Sequence, residues 1–165
     1  MRDTNIAASI SKWSRHYGVA SSLVDAFIRI ESNYDVTARG ALDEMGLGQL
    51  RPMTVDDFEL QNPGIEIDPW KIDDNVRVVA WLLGKRIPGQ LAERGFPLTY
   101  STLIQGYNRG PRRVNRLPIP DVTLAYMDKV ERILGVDRDS PISSGIIKKI
   151  LTAGMLWIIL SGKLS

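Results

Sequence analysis

The 165-residue chain has no cysteine and a single histidine, His16. The first absence excludes disulfides, thiol nucleophiles and zinc sites built on thiolates. The second excludes His-rich metal sites and most His-based triads. Nothing in the sequence asks for a metal or another cofactor, so any chemistry rests on carboxylates, hydroxyls, amides or lysines. A strong charge of one sign is also lacking. Lys+Arg number 21 against 19 Asp+Glu, a net charge of +2, so the bulk charge does not call for nucleic acid and none is expected as a partner. The opening residues, Met1 to Trp13, lack a basic stretch followed by an apolar one, and no secretory signal is read there.

What is present fits a soluble globular domain: 44% apolar and 24% charged residues. Apolar residues recur at helical spacing along most of the chain. Helices are expected over 5–17, with Ile6, Ile10, Trp13 and Tyr17 on one face and Gly18 as a stop, and over 21–32, with Ser21 or Ser22 as N-cap and Asn33 as terminator. Residues 34–48, rich in glycine and polar groups, read as an irregular loop or small hairpin. Further helices are expected from Pro52 to about 60, from 71 to 87 with a stop at Pro88-Gly89, over 99–108, and over 121–134 with Val122, Ala125, Tyr126, Val130 and Ile133 facing inward. The expected fold is all-α, one domain over residues 1–136.

Residues 137–145 read as a polar linker. The tail, an expected helix over 146–161, holds Ile150 to Leu160, apolar all round between Lys148-Lys149 and Lys163. At about 1.5 Å per residue this run is shorter than the ~30 Å hydrocarbon core, although lysines can snorkel and bilayers thin. It reads equally as a helix buried against the domain or a partner subunit and as a membrane-associated segment.

One residue breaks the pattern. The apolar stripe of the 21–32 helix runs Leu23, Val24, Phe27, Ile28, and its next position is Glu31. A carboxyl at the end of an apolar face loses hydration, and the negative end of the helix dipole adds to the effect, so its pKa rises. Such a group can donate a proton to a leaving oxygen near neutral pH. On this helix alone, a solvated charge in the last turn is the favoured reading.

Four segments then change the weighing. Phe27-Ile28-Arg29-Ile30-Glu31-Ser32-Asn33-Tyr34 resembles the opening motif of the soluble lytic transglycosylases, which share the goose-type lysozyme fold. Gly46-Leu47-Gly48-Gln49, followed by Pro52 and Thr54, is similar to their Gly-Leu-Met-Gln segment, with Gly48 where Met is usual. Gly106-Tyr107-Asn108-Arg109-Gly110-Pro111 resembles Ala-Tyr-Asn-Ala-Gly-Pro, and Tyr126 stands where a late Tyr precedes a Val-containing helix. Asp68-Pro69 and Asn75-Val76 resemble a pair that leads into a long helix. The four occur in the family's order across about 100 residues, and the resemblance covers roughly 6–135. The chain departs from the family in two places: the stretch from Thr37 to Met45 is a few residues longer, and Pro120-Asp121-Val122-Thr123 replaces a usual Glu-Thr.

The resemblance implies a lysozyme-like domain that cleaves peptidoglycan glycan strands, with Glu31 as acid and base and with Ser32, Gly48, Gln49, Tyr107, Asn108 and Tyr126 around the substrate. One carboxylate suffices in that family: the substrate's N-acetyl group stabilises the cationic carbon, and the muramyl 6-hydroxyl closes a 1,6-anhydro ring. Asp43 and Glu44 offer a second carboxylate, which would give a hydrolytic muramidase instead. A non-catalytic wall-binding or virion structural protein is the third reading. From the residues alone, Gln49 is either an amide for N-acetyl sugars or a cap on local backbone, Asn108 a substrate amide or a helix terminator, and Tyr126 a core residue. The cluster Arg109, Arg112, Arg113, Arg116 is a solvated face or a contact for wall carboxylates or phosphates. Small wall-cleaving domains without a leader imply a bacteriophage particle as the setting. The wall or periplasm is then the place of action, and the tail holds a membrane or a virion protein.

Overall fold

The computed structural model describes residues 3–142. The tail helix expected over 146–161 therefore lies outside the described residues. Those residues form seven α-helices and no named strand: α1 (Thr4–Tyr17), α2 (Ser21–Ser32), α3 (Pro52–Gln61), α4 (Ile72–Trp81), α5 (Ile87–Glu93), α6 (Tyr100–Arg109) and α7 (Asp121–Leu134). A π-helical turn, Leu82–Arg86, joins α4 to α5, and a 3₁₀ turn, Pro111–Arg113, follows α6.

Helix α1 begins where the Asp3 side chain accepts the Asn5 N–H and ends at left-handed Gly18. Its buried Ile6, Ile10 and Trp13 form the face that packs on α4. Helix α2 runs against α1 and α7, and Val24, Phe27 and Ile28 have no exposed surface at all. Its N-cap is Ala20, without a side-chain bond, so neither Ser21 nor Ser22 caps it; Asn33 ends it in the left-handed region, as expected. The core closes on Phe58 of α3, which meets Trp81 of α4 edge-on at 5.1 Å between ring centroids.

Two helices differ further from what their spacing predicts. The helix from 71 does not stop at Pro88. It widens into the π turn, where the Ile87 N–H reaches back five residues to the Leu82 carbonyl, and then continues as α5 with Pro88 in its first turn. The wider register takes up the break that the missing proline N–H would otherwise force. In α7, Val122 is 72% exposed and Ala125 is exposed too. The buried face is Thr123, Met127 and Val130, with Tyr126 half-buried beside it. A polar contact sets this rotation: the Thr123 hydroxyl donates to Asn108 on α6 at 2.9 Å.

The loop before α3 carries only isolated bridges, Arg39 with Met45 and Met45 with Leu50. The stretch read as a linker from 137 is tied to the domain as far as 142. Arg138 binds the Glu131 carboxylate through Nε at 2.9 Å, its carbonyl accepts the Ser101 N–H, and the Ile142 N–H donates to Leu98.

Candidate active site

A cleft of about 760 Å³ opens between the C-terminal end of α2, the Gly46–Arg51 loop, the π turn and the end of α6. Glu31, Gly48, Gln49, Tyr107 and Asn108 line it. Ser32 and Tyr126 do not. The Ser32 hydroxyl donates to Ile28 of its own helix at 3.3 Å. Tyr126 reaches the cleft through Glu31, to which its hydroxyl donates at 2.6 Å.

Glu31 sits at the end of the apolar stripe. Burial is the largest influence on its carboxyl and raises the pKa from 4.5 to about 7, with Glu44's charge adding to the rise; the Tyr126 hydrogen bond and the positive charges of Arg51 and Lys129 oppose it. At neutral pH a large share of the molecules thus carry a proton here. Tyr126 occupies Oε1, which leaves Oε2 for proton exchange. Both neighbouring tyrosines stay neutral: burial first, then the Glu31 charge, lifts Tyr107 and Tyr126 well above the ordinary phenol range.

Phe27 holds both tyrosine rings, Tyr107 at 4.7 Å edge-on and Tyr126 at 6.0 Å. The Tyr107 hydroxyl then donates to the Gly48 carbonyl at 2.9 Å. Gly48 itself is caught on its other side, where its N–H donates to the Asn75 Oδ1 at 2.9 Å. A side chain at 48 would overlap a Val79 methyl and crowd the Tyr107 hydroxyl, which explains glycine where the resembled family has Met.

Gln49 is left-handed, with φ 47°. Its amide nitrogen donates to the carbonyls of Ala38 at 3.1 Å and Gly46 at 2.9 Å. Both hydrogens are therefore spent on backbone, and toward a ligand Gln49 can only accept. Asn108 does not cap α6, a place taken by Gly110. Its Oδ1 accepts from Thr123, which turns its NH₂ into the donor that remains. The site thus has one acidic proton, an amide acceptor and an amide donor around one cleft.

Three further residues shape the site: Glu44, expected only as a possible second carboxylate, Asn75, expected only as part of the pair before a long helix, and Arg86, which the sequence did not mark. Asn75, 1% exposed, ties the loop to α4, since its Nδ2 donates to Met45 at 3.1 Å and to Pro69 at 2.7 Å while its Oδ1 holds Gly48. A polar residue on the buried face of α4 was the available signal. Glu44 faces the cleft from the lengthened loop. Its Oε2 accepts the Leu42 N–H at 2.8 Å and its Oε1 the Arg51 Nε at 3.2 Å. Burial would raise its pKa, but these bonds and the Arg51 charge outweigh it and leave Glu44 below the ordinary value. Arg86, on the π turn, forms a two-pronged pair with Asp57 at 2.8 and 2.9 Å. Among the described residues no group of three His, Cys, Asp or Glu could hold a metal ion, and no helix is long and apolar enough to cross a membrane.

The fold has known counterparts. The structure is similar to the lytic transglycosylase Slt from Pseudomonas aeruginosa, solved as an inactive mutant, with a TM-score of 0.57 and 22% identity over 77% of this chain and 22% of that one. It is also similar to the 70 kDa soluble lytic transglycosylase of Escherichia coli, with a TM-score of 0.58 and 16% identity over 84% of this chain and 26% of that one. This chain thus spans about a quarter of the length of either protein, and at these identities the likeness is one of fold: all-α and lysozyme-like, as expected. The Transglycosylase SLT domain matches residues 8–118, two thirds of the chain. The chain belongs to the transglycosylase SLT domain family.

Proposed function

We propose that this protein is a peptidoglycan lytic transglycosylase that cleaves the β-1,4 bond between N-acetylmuramic acid and N-acetylglucosamine and leaves a 1,6-anhydro end. The observation that carries the reading is the Glu31 carboxyl, partly protonated near pH 7 at the wall of a cleft lined with amides. Membership of the family supports it, as do the names of the two similar structures, both lytic transglycosylases.

In the proposed reaction, Glu31 gives its proton to the glycosidic oxygen as the bond to the muramyl anomeric carbon breaks. The substrate's own acetamido group stabilises the positive charge left on that carbon. The muramyl 6-hydroxyl then bonds to the same carbon and returns its proton to Glu31, which regains its starting state. Holding both reacting groups within one sugar replaces a bound water and a second protein carboxylate. Asn108 is assigned a carbonyl or hydroxyl of the sugar, Gln49 an N–H or hydroxyl, and Tyr126 the orientation of Glu31.

Hydrolysis would need a base to activate water. Glu44 lines the cleft, but both its oxygens are engaged, by Leu42 and by Arg51, and it is assigned an electrostatic part instead. A zymogram on purified peptidoglycan should show clearance by the wild type and a loss of about 10²–10⁴-fold or more in Glu31→Gln, the usual contribution of a general acid. Mass analysis should find product ends lighter by one water. Hydrated ends alone would reject the transglycosylase reaction, and unchanged clearance by Glu31→Gln would reject Glu31.

The biological setting proposed is a bacteriophage particle that opens the wall for its genome, with residues 146–161 holding the enzyme to a membrane or a virion protein. The setting rests on the habits of the family, and the attachment on the composition of that stretch. Flotation with lipid vesicles, full chain beside a chain ending at 145, tests the membrane arm: co-flotation lost on truncation is the expected result, and equal behaviour removes it.

A further inference from the structure

Five arginines and three carboxylates line the cleft. Two of the carboxylates are neutralised in place, Glu44 by Arg51 at 3.1 Å and Asp57 by Arg86 at 2.8 Å. The third is Glu31. Three arginines are left over, Arg109, Arg112 and Arg113, all at the end of α6 and on the 3₁₀ turn after it. Among the described residues, Arg109 makes only two hydrogen bonds, both long at 3.5 Å, to the Arg116 carbonyl. Among the described residues, no carboxylate pairs with any of the three.

The turn that carries them is fixed from inside. Gln105 of α6, with no exposed surface, accepts the Asn115 N–H at 3.0 Å and donates to the Asn115 side chain at 3.3 Å. Val114, between the arginines and this clamp, is 3% exposed, and the Arg113 N–H closes the turn onto the Gly110 carbonyl at 3.0 Å. A solvated cationic face needs no such clamp. Two arms that must meet a ligand along a cleft gain from a fixed base, because less freedom is lost on binding.

We propose that Arg109, Arg112 and Arg113 form a carboxylate-binding wall of this cleft, which takes the acidic peptide stems borne by the glycan strand. The proposal rests on the function read above, since it places the glycan beside Glu31. Peptidoglycan carries short peptides on alternate sugars, and their free carboxylates are the anions that run alongside the bond to be cut. Arginine forks suit carboxylates, pairing with them through two parallel hydrogen bonds.

Binding separates this inference from the reaction. The full chain carrying Glu31→Gln is titrated with soluble glycan strands of three kinds: peptide-bearing, stripped of peptide, and peptide-bearing with carboxyls converted to amides. The first kind should bind about tenfold tighter than the other two, the size expected of two or three exposed ion pairs. The preference should shrink as salt is raised, vanish in the Arg112→Ala, Arg113→Ala double variant and return in part with lysine at both positions. Equal binding of the three strands, or an unchanged preference in the double variant, overturns the wall. Preferential binding with no glycan cleavage by the wild type removes the proposed reaction and leaves the wall standing. Cleavage with no preference does the opposite, and binding to none of the strands removes both.

Discussion

At Glu31 burial and hydrogen bonding pull in opposite directions, and the outcome decides what the carboxyl can do. Burial wins and lifts the pKa to about 7, while the Tyr126 hydroxyl holds the group in place and moderates the rise. A general acid must be protonated, so activity should fall as pH rises through this value. Glu44 contributes to the rise through its charge. In Glu44→Gln that charge is gone, the Glu31 pKa drops, and the alkaline limb of the pH–rate profile should move to lower pH. Tyr126→Phe removes an opposing influence, so the same limb should move to higher pH, with a lower maximum because the carboxyl is no longer held. Limbs that stay put in both variants would contradict this coupling. The residues around the acid also have less freedom than their types suggest: Gln49 can only accept, Asn108 presents its NH₂, and Gly48 has no room for a side chain.

At the level of elements, the site is a loop pinned to a helix. Asn75 of α4 spends both amide hydrogens, on Met45 and Pro69, and its carbonyl oxygen, on Gly48, all of them backbone partners. Asn75→Leu keeps the branched shape and leaves the buried Gly48 N–H without its partner, at about 1–3 kcal/mol. The urea midpoint should fall by a corresponding amount and peptidoglycan clearance with it. An unchanged midpoint would show that water replaces the side chain. The helices themselves were legible in the sequence because each has a stripe: Ile6, Ile10 and Trp13 in α1, or Leu23, Val24, Phe27 and Ile28 in α2, are all buried. Glu31 could be picked out because it interrupts such a stripe. The widening at Leu82–Arg86 could not, since a π turn has no distinct residue pattern, and Pro88 read as a stop. The face of α7 was misjudged at Val122 because a threonine–asparagine contact from another helix, rather than hydrophobicity, sets its rotation. The Asn75 hub depends on side-chain to backbone bonds to Gly48 and Met45, 27 and 30 residues away, which no local pattern announces.

For the whole molecule, the buried acid links folding to pH. Unfolded, Glu31 has the ordinary value of 4.5, and folded it is raised to about 7. The folded chain therefore binds more protons between these values, so this group's contribution is best below 4.5 and is lost as pH rises through about 7. The loss amounts to about 3 kcal/mol at most. Thermal unfolding of Glu31→Gln should lack this decline and should gain on the wild type as pH rises; parallel profiles would mean that the carboxyl is solvated in the fold. The same property gives the most direct test of the account, a carbon-13 NMR titration of the glutamate side chains, with Glu31 assigned by its disappearance in Glu31→Gln. A midpoint near 7 is expected for this one carboxyl; a midpoint at the ordinary 4.5 would mean that the fold leaves it hydrated.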